Sequence, residues 1–118
     1  MTENPIIIDL TYLYSITGGD KAFEQMLLAG TVVDLDATIA DLKDAWEKSD
    51  AAGIRRNAHL LVSISAIGGM PQVESWSRQI DHAFADGIFH PEAGALADNI
   101  ISGWPAAKLQ LEKIIAAG

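Results

Sequence analysis

Residues 50–69 of this 118-residue chain have the sequence DAAGIRRNAHLLVSISAIGG, and this stretch decides the fold. Its apolar and small residues recur at intervals of three and four, the spacing of one face of an α-helix. The predicted inward face consists of Ile54, Ala58, Leu61, Ser65 and Gly68. Asp50 is a good N-cap and the closing glycine pair is a good stop, so one amphipathic helix is predicted between them.

Three helices are predicted before this one. The first runs from about Asp9 to Thr17, with Asp9 as its N-cap and the glycine pair after Thr17 as its end. The second is capped by Asp20 and carries Phe23, Met26 and Leu27, and a bend or break is expected near Gly30. The third has apolar residues four, three and four positions apart, namely Leu35, Ile39, Leu42 and Trp46.

Two more helices are predicted after it. One runs from about Gln72 to Ala85, and its predicted inward face consists of Val73, Trp76, Ile80 and Phe84. The last begins with His90 as its cap and Pro91 in the first helical position. Its apolar face comprises Leu96, Ile100, Ala107, Leu111 and Ile114. Pro105 is expected to kink or interrupt this helix, because proline removes one backbone hydrogen bond.

These elements predict a single all-α domain over residues 1–118. Four long amphipathic helices with short connections indicate an antiparallel four-helix bundle, and the short additional N-terminal helix is expected across one end. Strand signals are almost absent. The one β-like run, residues 6–8, has no partner strand in the sequence.

Composition excludes several classes of function. The chain has no cysteine, which rules out disulfides and thiolate chemistry, and a net charge of −8, which disfavours nucleic acid and anionic membranes as partners. No apolar stretch approaches the ~20 residues of a membrane span, and residues 1–9 lack the features of a signal peptide. We expect a cytoplasmic protein, and a monomer.

Of the three histidines, His59 has the most informative surroundings. It falls outside the inward face of its helix, among the small residues Ala52, Ser63 and Ala66, with Val62 at the edge. Arg55 and Arg56 lie to either side of it, and guanidinium groups bind phosphate or carboxylate well. The pattern predicts an exposed imidazole that another protein can approach closely and that suits an anionic group.

The other two histidines are interpreted more simply. His82 is taken as a surface histidine and His90 as a helix start. No histidine pair has a metal-binding spacing, so neither a metal site nor a cofactor is predicted.

Residues 55–69, RRNAHLLVSISAIGG, resemble the motif of histidine-containing phosphotransfer (HPt) domains. The matching positions are Ala58-His59, Leu61, Ser65 and Gly69. The opening segment DLTYLYSITGGDKAF (residues 9–23) is similar to the first helix and Gly-Asp turn of the family, and residues 35–50 are similar to its next long helix. The resemblance covers nearly the whole chain.

This resemblance implies a phosphoryl carrier in a two-component phosphorelay. His59 is expected to accept a phosphoryl group from an aspartate on a receiver domain, and to pass it to another receiver. The catalytic groups and Mg²⁺ are expected on the receiver, so this chain is not itself predicted to be an enzyme. In keeping with that role, we expect no acid, base or metal cluster around His59.

The chain departs from the family pattern at two positions. Val62 stands where the family usually has lysine, and Ser63 where it usually has glycine. Because a lysine there could hold phosphoryl oxygens, two alternatives stay open. One is an HPt-like adaptor that binds receivers without efficient transfer. The other is an unrelated helical interaction module, which an exposed apolar patch including Leu60 and Ile67 would favour.

Overall fold

Five α-helices form most of residues 5–118, the part of the chain that a computed structural model describes; residues 1–4 of the predicted domain lie outside it. The helices are α1 (Thr11–Thr17), α2 (Lys21–Glu47), α3 (Ala51–Ile67), α4 (Pro71–Ala83) and α5 (Gly94–Ala117), with a 3₁₀ turn at Pro91–Ala93. No strand occurs within residues 5–118. The predicted all-α fold is therefore confirmed.

The four long helices pack as a bundle. Helix α3 contacts α2 and α4, and α5 contacts the same two helices from the other side of the core, while α1 packs against α2 and α3. All five residues of the predicted inward face of α3 are buried. Because that face is fixed in the core, the opposite face of α3, which carries His59, is turned toward solvent.

The predicted second and third helices are one continuous helix, α2, so the break expected near Gly30 is wrong. Glycine costs a helix only about 1 kcal/mol relative to alanine. Leu28 and Val32, on either side of Gly30, are both buried in the core. Packing on both sides of the glycine holds the two halves in one helix, and Asp20 caps it as predicted by accepting a hydrogen bond from the Phe23 N–H.

Helix α5 also differs from its prediction. It continues through Pro105 without interruption, and it begins at Gly94, after the 3₁₀ turn. Its buried face includes Trp104, which the predicted face omits, whereas Ile114 is exposed. The Trp104 indole donates a hydrogen bond of 2.9 Å to Asp36 on α2, and the Lys108 ammonium donates one of 3.2 Å to the same carboxylate, so contact with α2 holds the helix on both sides of the proline.

The turn between α3 and α4 is fixed by Gly69. Its φ of 71° lies in the left-handed region, and a Cβ there would collide with the Asp9 carbonyl. The Asp9 N–H donates a hydrogen bond of 2.7 Å to the Gly69 carbonyl, which ties the N-terminal segment to the turn. The Asp9 carboxylate accepts from the Thr11 N–H as a cap would, although α1 begins at Thr11 rather than at Asp9.

The extended run before α1 has a helix rather than a strand as its neighbour. The Gln72 side chain on α4 accepts a hydrogen bond from the Ile7 N–H and donates one to the Pro5 carbonyl. Within residues 5–118, no helix has both the length and the apolar character needed to cross a membrane.

Candidate functional site

His59 lies in the middle of α3 with its side chain 75% exposed. Its neighbours Ala58 and Leu61 are fully buried, and they fix the rotation of the helix about its axis. Because this packing fixes α3, the His59 ring faces solvent in a defined direction. The core itself does not require a histidine at this position.

The ring of His59 is bonded to a carboxylate on the neighbouring helix. The His59 Nδ1 lies 3.0 Å from Oδ2 of Asp81 on α4, and the Arg55 Nε lies 3.2 Å from the other oxygen of the same carboxylate. From the sequence, no cluster of acids, bases or metal ligands is expected around His59, and this single carboxylate was not foreseen. Asp81 was missed because it is 22 residues away in the sequence.

The turn at Gly69 places His59 and Asp81 at the same height along the bundle. His59 lies ten residues before Gly69 and Asp81 twelve after it, and the two helices run antiparallel. Asp81 could have been found by counting residues from the glycine pair in both directions, because residues at similar distances from the turn lie side by side on the two helices.

The contact with Asp81 assigns the roles of the two ring nitrogens of His59. A carboxylate only accepts hydrogen bonds, so the His59 Nδ1–H donates to Asp81. In the neutral ring with its proton on Nδ1, the lone pair available for reaction is on Nε2. The carboxylate thus orients the ring and leaves Nε2 as the nucleophilic atom.

Asp81 is ionised at neutral pH. The hydrogen bond from His59, together with a smaller contribution from Arg55, lowers the pKa of the Asp81 carboxyl below its usual value, although partial burial opposes the shift. A permanent negative charge therefore lies against Nδ1, where it can stabilise positive charge that develops on the ring.

Two open depressions flank His59. The first, of about 590 Å³, is lined by Arg55, Arg56 and Leu60 on the side of the loop after α4. The second, of about 520 Å³, is lined by Arg55, Val62, Ser63 and residues of α4. His59, Asp81 and Arg55 border both depressions, so the imidazole is accessible from either one.

Most of the residues predicted around His59 lie beside it. Arg55 shares Asp81 with it, Arg56 borders the first depression, and Val62 and Ser63 border the second. Ala66 lies farther along α3, is half-buried and borders neither depression. The second depression also includes Arg78 of α4, which the sequence analysis did not single out.

Of the other two histidines, one agrees with its interpretation and one differs from it in part. His82 is exposed, as expected of a surface histidine. His90 precedes the 3₁₀ turn, but its ring bonds to Asp86 and Glu92 instead of capping the helix. Among residues 5–118, no group of three or more potential ligands is arranged to hold a metal ion.

Comparison with known proteins identifies solved structures that have the same fold. No protein-family model matches the chain, and no curated protein matches it significantly. Among solved structures, the chain is similar to histidine-containing phosphotransfer protein B from Pseudomonas aeruginosa PAO1, with a TM-score of 0.80 at 18% identity over 94% of this chain and 96% of that one. It therefore has the fold of a histidine-containing phosphotransfer protein.

A second solved structure has the same fold. It is the HPT domain of the Hpt sensor hybrid histidine kinase from Shewanella, with a TM-score of 0.69 at 18% identity. The match covers 90% of this chain and 94% of that domain, so it includes nearly all of both. The predicted helical bundle is confirmed.

Proposed function

We propose that this protein is a phosphoryl carrier of a two-component phosphorelay, which accepts a phosphoryl group on His59 from a receiver-domain aspartate and passes it to another. The observation that supports this most strongly is the His59 ring itself. It is 75% exposed, its Nδ1 is held by Asp81, and its Nε2 is directed away from that contact. The fold, shared with two phosphotransfer proteins, agrees with this role.

The transfer needs only one nucleophile from this chain. The Nε2 lone pair of His59 attacks the phosphorus of the aspartyl phosphate. The N–P bond forms as the P–O bond to the aspartate breaks, and the electron pair of that bond leaves with the receiver carboxylate. The phosphorylated ring keeps its Nδ1 proton and carries positive charge, which the Asp81 carboxylate stabilises. Passing the group to a second receiver reverses these steps.

The surroundings of His59 suit the approach of a receiver. Ser63 is small and exposed one turn away, and Leu60 is an apolar residue that is 47% exposed beside the ring. A receiver supplies the acid and Mg²⁺ chemistry, so this chain acts as a carrier without a cofactor of its own. The role implies a monomer that works in the cytoplasm.

The test is the transfer of a phosphoryl group to a single residue. We expect wild-type protein incubated with a phosphorylated receiver domain to gain one phosphoryl group by intact mass, and His59→Gln to gain none. His82→Gln and His90→Gln are the matched controls and should be phosphorylated like wild type. Phosphorylation of His59→Gln would place the acceptor elsewhere.

An adaptor that binds receivers without efficient transfer is the second candidate, because Val62 occupies the position of the family's lysine. The same experiment separates the two functions when binding to the receiver is measured beside transfer. Binding without any phosphorylation of the wild-type protein would favour the adaptor.

A further inference from the structure

A phosphoryl group on His59 would place negative charge next to a carboxylate. It adds a charge of about −1.5 to −2 beside the ionised Asp81, in a chain whose net charge is already −8. Such a group is more stable with a cation within reach of its oxygens. On α3, the position one turn after His59 holds Val62, which cannot supply one.

The cations of α3 are poorly placed for this role. Arg55 is bonded through its Nε to Asp81, the carboxylate that also holds His59. Arg56 borders the first depression, on the opposite side of the ring from Val62. Arg55 also borders the second depression, but it lies seven residues before Val62, about 10.5 Å back along α3, so neither arginine is level with the space beside Val62.

Arg78 occupies that space from the neighbouring helix. It borders the second depression together with His59, Val62 and Ser63. Arg78 lies three residues before Asp81, and Val62 three residues after His59. Because α3 and α4 run antiparallel, both steps lead about 4.5 Å in the same direction along the bundle. Arg78 is therefore level with Val62.

The guanidinium of Arg78 is free to bind a further anion. Its side chain is 64% exposed, and its Nη2 donates to Glu74 at 2.9 Å in an ordinary pair one turn apart on α4. A guanidinium has five N–H donors, so one bond to Glu74 leaves others for phosphoryl oxygens. Glu74 also competes for the same cation.

We propose that Arg78 binds the phosphoryl group of phosphorylated His59 and thereby replaces, from α4, the lysine that α3 lacks. This inference rests on the proposed function. It makes Arg78 a binding residue for the phosphorylated state, and Glu74 the group that holds the arginine when the phosphoryl group is absent.

The measurement is the ratio of phosphorylated to unphosphorylated protein at equilibrium with a phosphorylated receiver domain, read by intact mass. An equilibrium ratio does not depend on how fast the partners dock, so it reports the stability of the phosphorylated state. We expect Arg78→Ala to lower the ratio about twofold to fivefold, as for an exposed ion pair. Arg78→Lys should retain most of it, and Glu74→Gln should raise it.

Lys113→Ala is the matched control, since it removes one exposed positive charge from α5 and should leave the ratio unchanged. An Arg78→Ala ratio equal to that of Lys113→Ala would overturn the inference. If wild-type protein is not phosphorylated at all, the proposed function fails instead, and the two failures are distinguishable.

A second variant separates binding of the phosphoryl group from a structural role of Arg78. Val62→Lys should restore the ratio in the Arg78→Ala background, because it places a cation at the same level on α3. A lysine at position 62 that raises the wild-type ratio but does nothing for Arg78→Ala would contradict the proposal that the two positions serve the same group.

Discussion

His59 and His90 both lie beside carboxylates, yet their surroundings differ in the number of ring nitrogens that are bonded. At His59 one carboxylate holds Nδ1, and the side chain is 75% exposed. At His90, Nδ1 lies 3.0 Å from Glu92 and Nε2 2.8 Å from Asp86, and the side chain is only 25% exposed. A ring nitrogen that is free to react is therefore found at His59.

The two environments have different chemical consequences. Hydrogen bonding to Asp86, followed by a weaker contribution from Glu92, raises the pKa of His90 and favours the cationic ring, which has no lone pair to donate. His90 also packs edge-on against Phe84 at 5.4 Å between ring centroids. His90 thus stabilises the segment between α4 and α5, whereas one held nitrogen and one free nitrogen suit His59 to phosphoryl transfer.

The largest expected effect follows from removing the charge that holds His59. Asp81→Asn should slow phosphorylation of His59 about 10- to 100-fold, because a hydrogen bond to a charged group is worth about 1.5–3 kcal/mol and the amide no longer fixes the Nδ1–H form. Rapid-quench measurement of the transfer rate from a phosphorylated receiver checks this.

Asp86→Asn is the matched control for that variant, since it makes the same change at His90. It should transfer at the wild-type rate. Equal slowing by both substitutions would mean that the difference between the two histidine environments has no bearing on transfer.

A smaller effect is expected on the pH dependence of stability. Because the pKa of His90 is raised in the folded protein, its contribution is fully present below the unfolded pKa of about 6.5 and is lost as the pH rises through the raised folded value. The free energy of unfolding of wild type minus that of His90→Gln should therefore fall as the pH rises from about 6 to about 8. Urea denaturation at a series of pH values measures it.

A difference that stays constant across this range would contradict the assignment of His90 as a charged, stabilising ring. Asp86→Asn provides a check, because it removes the main cause of the raised pKa. It should weaken the pH dependence while leaving His90 in place.

Local patterns in the sequence predicted the helices and much of the candidate site. The face of α3 from Ile54 to Gly68 is buried as its spacing predicts, and this alone determines that His59 is exposed. The breaks that the same reasoning allowed at Gly30 and Pro105 do not occur, because propensity costs of about 1–3 kcal/mol are smaller than the packing of a long helix on both sides. Both residues lie inside continuous helices.

The residues that complete the candidate site could not be found from one helix alone. Asp81 and Arg78 belong to α4, and their proximity to His59 depends on the register of the hairpin at Gly69. Periodicity determines which face of a helix is buried, but not which residues of two helices lie at the same level. A fixed turn of known position supplies that register.

The central claim is that Asp81 holds Nδ1 of His59 and leaves Nε2 to accept the phosphoryl group. NMR of the ring nitrogens of ¹⁵N-histidine-labelled protein, recorded before and after phosphorylation by a receiver, tests it most directly. We expect the neutral form of the His59 ring to carry its proton on Nδ1 before the reaction, and a phosphorus coupling on Nε2 after it. A phosphoryl group on Nδ1, or a neutral ring with its proton on Nε2, would contradict the account.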